Sequence, residues 1–221
     1  MNEASKTFKI WTESERQFLS GEGIDIGCGS DPVLPNVKPF DIKDGDANHV
    51  TAFVDKTFDF VFSSHCLEHM INPYDALHEW WKLVKSGGYL IFIIPDEDLY
   101  EQVMFPSRFN NDHKHTFTIS KVQSWSPVSV NVLDLAQSLP NGKIERLCLQ
   151  DRGYNRKKMT FNTKKRTIFI KIFFSPYRFF VKFTNIHFHW LDLIMKAYYP
   201  IDQTLEEDVF AQIECVVKKI K

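Results

Sequence analysis

The chain has 221 residues, 43% of them hydrophobic, which is enough for one domain with a sizeable core. Its 27 basic and 28 acidic residues balance, so the overall charge gives no argument for a nucleic-acid partner. Four scattered cysteines suggest neither a disulfide framework nor a paired zinc spacing, residues 1–10 lack an apolar signal core, and no uncharged apolar run could span a bilayer. These features predict a soluble protein of the reducing cytoplasm.

The first predicted elements are a short helix over Thr12–Leu19, with capping-box spacing at its start, and a buried strand over Gly23–Gly27. Asp25 lies inside the strand, and Gly27 and Gly29 form a tight turn directly after it. Glycine accepts a positive φ and lets a ligand approach the backbone closely. The stretch therefore indicates either a purely structural turn or a ligand-binding turn above an acid.

Two further strand ends follow along the chain. Phe40-Asp41 ends a second strand, and the apolar run Phe58–Phe62 predicts a strand at the middle of the sheet. Between Gly29 and Phe40 several prolines disfavour a long helix. The acidic stretch Asp44–Ala47 is either a solvated turn or a ligand contact, because Asp and Gly are common turn residues.

The clearest predicted helix covers Asn72–Val84, with Asn72 as its cap and a proline at its first position. Gly87-Gly88 end it, and Tyr89–Ile94 form a buried strand stopped by Pro95. Strand, helix and strand in alternation imply right-handed crossovers and a parallel sheet. Ligands of such sheets bind beyond the carboxyl ends of the strands.

The second half of the chain alternates less regularly. A polar loop over Asp96–Thr118 precedes a predicted helix over Pro127–Leu139, capped by Ser126. Predicted strands cover Lys143–Leu149 and Ala211–Ile220. The segment between them, Arg152–Pro200, is dense in aromatic and basic residues and too long for a connection between paired strands, so we interpret it as an insertion.

The acid-x-Gly-x-Gly pattern at Asp25–Gly29 and the run Phe58–His69 resemble class I S-adenosylmethionine-dependent methyltransferases. Stretches Pro95–Glu101 and Pro106–Lys114 are similar to small bacterial members linked to surface-polysaccharide (capsule or lipopolysaccharide) biosynthesis. The resemblance implies an α/β fold with a Rossmann-like, mostly parallel seven-stranded sheet, an antiparallel last strand and a mainly helical insertion before it. It implies one methyltransferase domain over residues 1–221, with residues 152–200 as a lid or dimer element.

The same resemblance implies S-adenosyl-L-methionine as the methyl donor and S-adenosyl-L-homocysteine as its product. Asp41 corresponds to the ribose ligand, Asp46-Ala47 to the pair that borders the adenine, and Gly27 to the contact with the methionine end. His65 would line the donor or acceptor pocket. The implied donor site comprises Asp25, Gly27, Cys28, Gly29, Asp41, Asp46, Ala47, Ser63, Ser64 and His65.

The implied reaction is methyl transfer to a small-molecule or glycan-precursor acceptor, preferably at a sugar hydroxyl or a phosphoryl or phosphoramidate oxygen. A neutral hydroxyl needs a general base, whereas an anionic oxygen needs cations. The loop after the last parallel strand should arch over the site, although loop histidines can also merely titrate in solvent. It contributes His113, His115 and Tyr100 as catalytic candidates and Glu101, Arg108, Asp112 and Lys114 as substrate-binding candidates.

Two other protein classes compete with this interpretation. The run from His65 to His69 matches the His-x-x-Glu-His pattern of zinc hydrolases, whose histidines share one face of a helix. Because the run opens from a strand and Asn72-Pro73 leaves little room for a helix, we expect no metal and a structural role for His69. A non-catalytic cofactor-binding protein is the other alternative, since Asp31 replaces the family's usual third glycine and fold does not guarantee function.

The insertion over Arg152–Pro200 allows three interpretations: a lid whose basic residues attract an anionic acceptor, an aromatic dimer interface, or an amphipathic helix on an anionic membrane. Lys171, Arg178 and Lys182 interrupt its apolar residues too often for a spanning helix. We favour the lid and the interface over the membrane. The expected partners are a small-molecule or nucleotide-linked acceptor, which can be anionic, and a second copy in a homodimer, without nucleic acid.

Overall fold

A computed structural model describes residues 3–159, 164–184, 186, 188 and 201–220. Residues 160–163, 185, 187 and 189–200 of the predicted insertion lie outside the described residues. The helices are α1 Glu3–Ile10, α2 Glu13–Arg16, α3 Pro73–Lys82, α4 Val132–Gln137 and α5 Lys164–Thr184. The strands are β1 Gly23–Ile26, β2 Lys38–Phe40, β3 Phe58–Ser64, β4 Val84–Pro95, β5 Thr116–Thr118, β6 Ser129–Asn131, β7 Gly142–Gln150 and β8 Gln212–Lys219. Short 3₁₀ helices cover Gln17–Leu19, Ala47–Ala52, Leu67–His69, Arg156–Lys158 and Gln203–Leu205.

The main sheet has the order β2-β1-β3-β4-β8-β7, and β8 runs antiparallel to both of its neighbours. The mostly parallel, Rossmann-like sheet with an antiparallel last strand is therefore confirmed. Its strand count is wrong in the sequence prediction, because the sheet has six strands among the described residues and not seven. The segment between β2 and β3 contains the 3₁₀ helix Ala47–Ala52 and no strand.

Both faces of the sheet are covered, as the alternation in β4 requires. Leu90 and Phe92 point into the cluster built around α3, while Ile91 and Ile93 point into a second cluster built around α1 and the 3₁₀ helix Gln17–Leu19. Trp80 of α3 is fully buried in the first cluster. The sheet is therefore held rigidly at its centre, where β1, β3 and β4 end side by side.

The local helix signals were partly accurate. Thr12 and Glu15 form the predicted capping box, and the helix continues as a 3₁₀ turn to Leu19. The helix predicted over 127–139 begins later, at Val132, and its cap is Asn131 rather than Ser126. The reason is tertiary, because residues 129–131 pair with β5 in a small parallel ladder. Helix α1 was not predicted from the sequence.

Helix α5 has 21 residues and lies between β7 and β8 along the chain. Several of its apolar side chains are exposed, including Ile172, Phe179 and Phe183. Within the described ranges, no helix is both long enough and apolar enough to cross a membrane.

Candidate active site

A cavity of about 330 Å³ opens at the carboxyl ends of β1 and β3, the edge where ligands of parallel sheets bind. Its volume lies at the lower end of the range typical of small-molecule sites, about 300–1,000 Å³. The glycine turn forms its floor, and α1 and the loop after β4 contribute further walls. The lining residues are Glu3, Ala4, Asp25, Gly27, Cys28, Gly29, Ser30, Asp31, Ser64, His65, Glu68, His69, Tyr100, Asn110, His113 and Thr204.

The turn after β1 requires glycine at two positions. Gly27 has a φ of +77° and Gly29 a φ of +55°, both in the left-handed region. A Cβ atom on Gly27 would lie 2.5 Å from Sγ of Cys66, so the turn could not stay where it is with any other residue. At Gly29, by contrast, the nearest atom to an added Cβ would be a carboxylate oxygen of Asp41 at 3.9 Å. The backbone at Gly29 is therefore open toward a ligand.

Asp25 lies fully buried beneath this turn. Its Oδ2 atom accepts a hydrogen bond from the Val33 N–H at 2.7 Å, while Oδ1 has no hydrogen-bond partner among the described residues. Burial raises the pKa of Asp25 to about 7, and the nearby carboxylates of Asp31 and Asp41 add to the rise. An unpartnered buried carboxylate oxygen at a cavity wall suits a cationic or hydrogen-bond-donating ligand group.

Asp41 holds the glycine turn from the end of β2. Its carboxylate accepts hydrogen bonds from the backbone N–H groups of Gly29 at 2.5 Å and Ile42 at 2.6 Å. A carboxylate has about four acceptor positions, so these two bonds leave capacity for a ligand hydroxyl. Asp41 does not itself line the cavity, but its hydrogen bond holds Gly29, which does.

Of the other residues predicted to bind the methyl donor, some line the cavity and some do not. Asp46, Ala47 and Ser63 do not line the cavity. Asp46 caps the 3₁₀ helix Ala47–Ala52 by accepting from Asn48, and Ser63 donates to a backbone carbonyl of β1 at 2.8 Å. The cavity wall does include Asp25, Gly27, Cys28, Gly29, Ser64 and His65.

Glu68 is the most unusual acid of the site. It is 1% exposed, and neither of its carboxylate oxygens has a hydrogen-bond partner among the described residues. Its Oε1 atom lies 3.6 Å from Nδ1 of His65, 4.0 Å from Nε2 of His69 and 3.9 Å from Nε2 of His113. Burial alone would raise the pKa of Glu68, but the three imidazoles outweigh it, so that the pKa is lowered. Glu68 is thus an ionised carboxylate surrounded by histidines.

His65 follows β3 in the left-handed region, with a φ of +52°. Its Nε2 atom lies 3.0 Å from Oε1 of Gln212. This contact holds the edge of the ring that points away from Glu68. Burial lowers the pKa of His65, but the carboxylates of Glu68 and Glu3 outweigh this effect and raise the pKa to about 9. His65 therefore carries the positive charge that balances Glu68 in this structure.

His113 enters the cavity from the polar loop. Its Nδ1 atom lies 2.7 Å from Oε1 of Glu101, and both side chains are buried. Its ring packs against Tyr100, with centroids 5.5 Å apart, and edge-on against His69 at 5.0 Å. Burial raises the pKa of the Tyr100 phenol, so Tyr100 keeps its proton. Of the residues predicted as catalytic, His113 and Tyr100 face the cavity.

The remaining residues predicted from the loop do not line the cavity. The Nε2 atom of His115 lies 3.1 Å from the carbonyl oxygen of Ile71, and Lys114 donates to the carbonyl oxygen of His69. Asp112 offers its backbone carbonyl, not its carboxylate, to His69. The buried guanidinium of Arg108 has no hydrogen-bond partner among the described residues, and burial lowers its pKa.

Sequence reasoning missed several lining residues. Glu3 belongs to α1, a polar segment without a recognisable function signal, and Thr204 follows the insertion. Asn110 lies inside the polar loop, whose other residues supplied the catalytic and substrate-binding candidates. The expectation that His69 is a structural histidine facing the core is wrong, because its side chain is 28% exposed and lines the cavity. The helix that the zinc-hydrolase pattern requires is also absent there, since residues 67–69 form only a 3₁₀ turn.

Comparisons with known proteins agree with this architecture. Residues 29–92, which include β2, β3 and α3, match a family model described as a methyltransferase domain. A putative methyltransferase from Bacillus halodurans is 14% identical over 91% of this chain and 93% of that chain, with a TM-score of 0.50. A SAM-dependent methyltransferase from Archaeoglobus fulgidus is 12% identical over 98% of this chain and 94% of that chain, with a TM-score of 0.49. The curated proteins include no match to the chain.

Residues 29–92 are thus similar to a methyltransferase domain, and the likeness to the structure from Bacillus halodurans shows a shared fold. The residues at the end of β1 would fit S-adenosylmethionine, the methyl donor that the resemblance implies. The open backbone at Gly29 allows close approach, and the unpartnered Oδ1 atom of Asp25 suits a ligand that carries ammonium and sulfonium charges.

Proposed function

We propose that the protein transfers a methyl group from S-adenosylmethionine to an oxygen of a small-molecule or glycan-precursor acceptor in surface-polysaccharide modification. The observation that carries the oxygen assignment is the buried pair of His113 and Glu101 at the cavity. The link to polysaccharides is supported by the resemblance of stretches Pro95–Glu101 and Pro106–Lys114, which supply Tyr100, Asn110 and His113 to the cavity.

For the donor, we keep the assignment of Gly27 to the methionine end, Asp41 to the ribose and Asp46-Ala47 to the adenine. The hydrogen bonds of Asp41 to the turn support it, because they hold the carboxylate and the glycine backbone in one unit. The bound cofactor supplies an electrophilic methyl group. The chain supplies position, since methyl transfer needs the acceptor atom in line with the methyl group and the sulfur.

For the acceptor, His113 is the general base. Its Nδ1–H donates to Glu101, so Nε2 keeps its lone pair and can take the proton of an acceptor hydroxyl. The Glu101 carboxylate then stabilises the imidazolium. His115 is the weaker candidate, because its ring nitrogen is engaged with the carbonyl of Ile71 away from the cavity.

The charge of the cavity favours a neutral acceptor over an anionic one. Four carboxylates line it, those of Glu3, Asp25, Asp31 and Glu68, against one imidazolium, that of His65, and its described lining contains no lysine or arginine. An anionic phosphoryl acceptor would meet net negative charge there. A sugar hydroxyl therefore fits better than a phosphoryl or phosphoramidate oxygen.

For the whole chain, we propose one methyltransferase domain over residues 1–221, with residues 152–200 as a lid or dimer element. The exposed aromatic residues of α5, including Phe179, Phe180 and Phe183, support a surface that becomes covered. Such residues are enriched at protein interfaces.

The test is methyl transfer from labelled S-adenosylmethionine to a panel of nucleotide-linked sugars, phosphorylated sugars and small amines, followed by mass spectrometry of the products. We expect a gain of one methyl group on a hydroxyl oxygen and release of S-adenosylhomocysteine. Transfer to amines alone would overturn the oxygen assignment, and transfer only to phosphoryl oxygens would overturn the choice of a neutral acceptor.

A further inference from the structure

Three side chains of the cavity present metal-ligating atoms to one another. The ligand atoms of Glu68, His69 and His113 all lie within 4.8 Å of each other. Oε1 of Glu68 lies 4.0 Å from Nε2 of His69 and 3.9 Å from Nε2 of His113. Ligands of a tetrahedral zinc ion lie about 3.3 Å apart, given metal–ligand bonds of about 2.0 Å. Side-chain shifts of up to about 0.8 Å each would close the site around an ion.

Both histidines are oriented as metal ligands usually are. A ligating histidine donates its other ring N–H to a carboxylate or to a backbone carbonyl, which fixes the tautomer. His113 does so through Nδ1 to Glu101 at 2.7 Å, and His69 through Nδ1 to the carbonyl oxygen of Asp112 at 3.2 Å. In each ring the lone pair is thereby left on Nε2, the nitrogen that faces Glu68.

Glu68 supplies the second, independent observation. Its carboxylate is 1% exposed, and both of its oxygens lack a hydrogen-bond partner among the described residues. The nearest cation, the His65 imidazolium, lies 3.6 Å from Oε1, beyond hydrogen-bond distance, so both oxygens stay available to an ion. The other carboxylates of the cavity wall, those of Glu3, Asp25 and Asp31, also favour a cation.

We propose that Glu68, His69 and His113 form a binding site for one divalent transition-metal ion, with Glu101 as the residue that positions His113. Two imidazoles and one carboxylate suit zinc, iron(II), cobalt(II) or nickel(II) and disfavour magnesium and calcium, which prefer all-oxygen ligands. This set differs from the sequence pattern of zinc hydrolases, because the second histidine is His113 from the distant loop and not His65.

The free coordination positions of such an ion face the cavity, since all three ligands line it. They would take water or an acceptor oxygen next to the methyl donor. In the metal-free protein, Nε2 of His113 stays available for a proton, as proposed above, whereas in the metal-bound protein it is a ligand. Metal binding and methyl transfer can therefore be measured separately.

The experiment titrates chelator-treated protein, without cofactor, with Zn²⁺ by calorimetry and with Co²⁺ by visible absorption. We expect one ion per chain and a Co²⁺ spectrum of a nitrogen- and oxygen-ligated centre. Glu68→Gln, His69→Ala and His113→Ala should each weaken binding by at least 100-fold. Glu101→Gln, which leaves all three ligands in place, should weaken it by about 10- to 100-fold.

The control is His78→Ala on α3, whose ring contacts Ser138 outside this cavity and which should leave the affinity unchanged. Circular dichroism of each variant checks that it is folded, and Glu68→Gln keeps the size of the side chain. Absence of one-to-one binding by the wild-type protein would overturn the site. So would binding that persists in folded Glu68→Gln and His69→Ala proteins. Methyl transfer by the chelator-treated protein is scored independently, so failure of the metal site leaves the proposed function standing.

Discussion

Nδ1 of His113 lies 2.7 Å from Oε1 of Glu101, and the opposite ring nitrogen, Nε2, lies 3.9 Å from the carboxylate of Glu68. His113 is thus held between two buried acids, one of which fixes its tautomer while the other faces its free lone pair. Under the proposed function, His113 is therefore the residue on which the acceptor side of the cavity depends, whether its lone pair takes a proton or binds an ion.

Replacement of His113 by alanine is expected to lower kcat by about 100-fold or more, the usual effect of removing a general base. Binding of S-adenosylmethionine, measured by calorimetry, should remain within a factor of three, because the ring lies on the acceptor side. His115→Ala is the comparison variant and should lose much less activity, since its ring contacts the carbonyl of Ile71. Full turnover by a folded His113→Ala protein would remove His113 from the mechanism.

Asp41→Ala is expected to weaken binding of S-adenosylmethionine by about 1–3 kcal/mol, the effect of removing a charged hydrogen-bond partner. The variant loses the proposed ribose contact and the 2.5 Å bond that holds the Gly29 N–H. Calorimetry measures the affinity, and Asp55→Ala, which removes an exposed carboxylate, serves as the control for net charge. An unchanged affinity in the Asp41 variant would contradict its assignment to the ribose.

The glycine turn allows a matched pair of substitutions. Gly27 and Gly87 both have positive φ, +77° and +85°, but an added Cβ would lie 2.5 Å from Sγ of Cys66 at Gly27 and would meet nothing within 4 Å at Gly87. Gly87→Ala should therefore cost only the backbone strain, about 1–2 kcal/mol of unfolding free energy. Gly27→Ala should cost about 1–3 kcal/mol more and should also weaken cofactor binding. Urea denaturation measures the unfolding free energy of both variants. Equal losses of unfolding free energy would show that the turn tolerates a side chain at Gly27.

Asp25 makes stability depend on pH. Because its pKa in the folded protein is about 7 and its ordinary value is 3.8, the folded state binds more protons than the unfolded state between these pH values. The stability contributed by Asp25 is therefore greatest below about pH 4 and falls as the pH rises toward 7. Asp25→Asn removes this loss, so we expect the variant to be more stable than the wild type at pH 8, by roughly 1–3 kcal/mol.

Urea denaturation of Asp25→Asn and wild type at pH 4.5 and pH 8 measures this difference, which should shrink at the lower pH. Asp55→Asn, a change at an exposed position, should show no such dependence. The stabilised Asp25 variant should bind S-adenosylmethionine more weakly, because the carboxylate is lost. A variant that is less stable than wild type at pH 8 would show that the buried carboxylate is compensated within the protein.

The exposed face of α5 tests the role of the insertion. Phe179 and Phe183 are 66% and 70% exposed, and their ring centroids lie 4.5 Å apart. If they belong to a dimer interface, replacing both by serine should convert a dimer into a monomer in sedimentation velocity. Val122→Ser, a change at a fully exposed position, should leave the oligomeric state unchanged. A monomeric wild type would contradict the interface, and flotation with anionic liposomes that is lost in the double variant would favour membrane contact.

Local signals predicted the elements whose caps and apolar pattern lie within the element itself. Asn72 caps α3 by accepting from the Tyr74 N–H at 3.0 Å, and the apolar run from Phe58 forms β3, because capping and alternation act over a few residues. The helix expected over 127–139 was misplaced because pairing of Ser129–Asn131 with β5 depends on residues more than ten positions away.

In the candidate site, too, some features follow from local sequence and others only from tertiary contacts. The sequence by itself determined the glycine turn, since positive φ at Gly27 and Gly29 is a local backbone property, and it determined which strands end beside that turn. Only the tertiary structure decided that Glu68 is buried among histidines and that His113, not His115, faces the cavity. The physical reason is that burial and ligand geometry depend on distances between segments such as the loop, α1 and the end of β3, and the chain folds these together only when both faces of the sheet are covered.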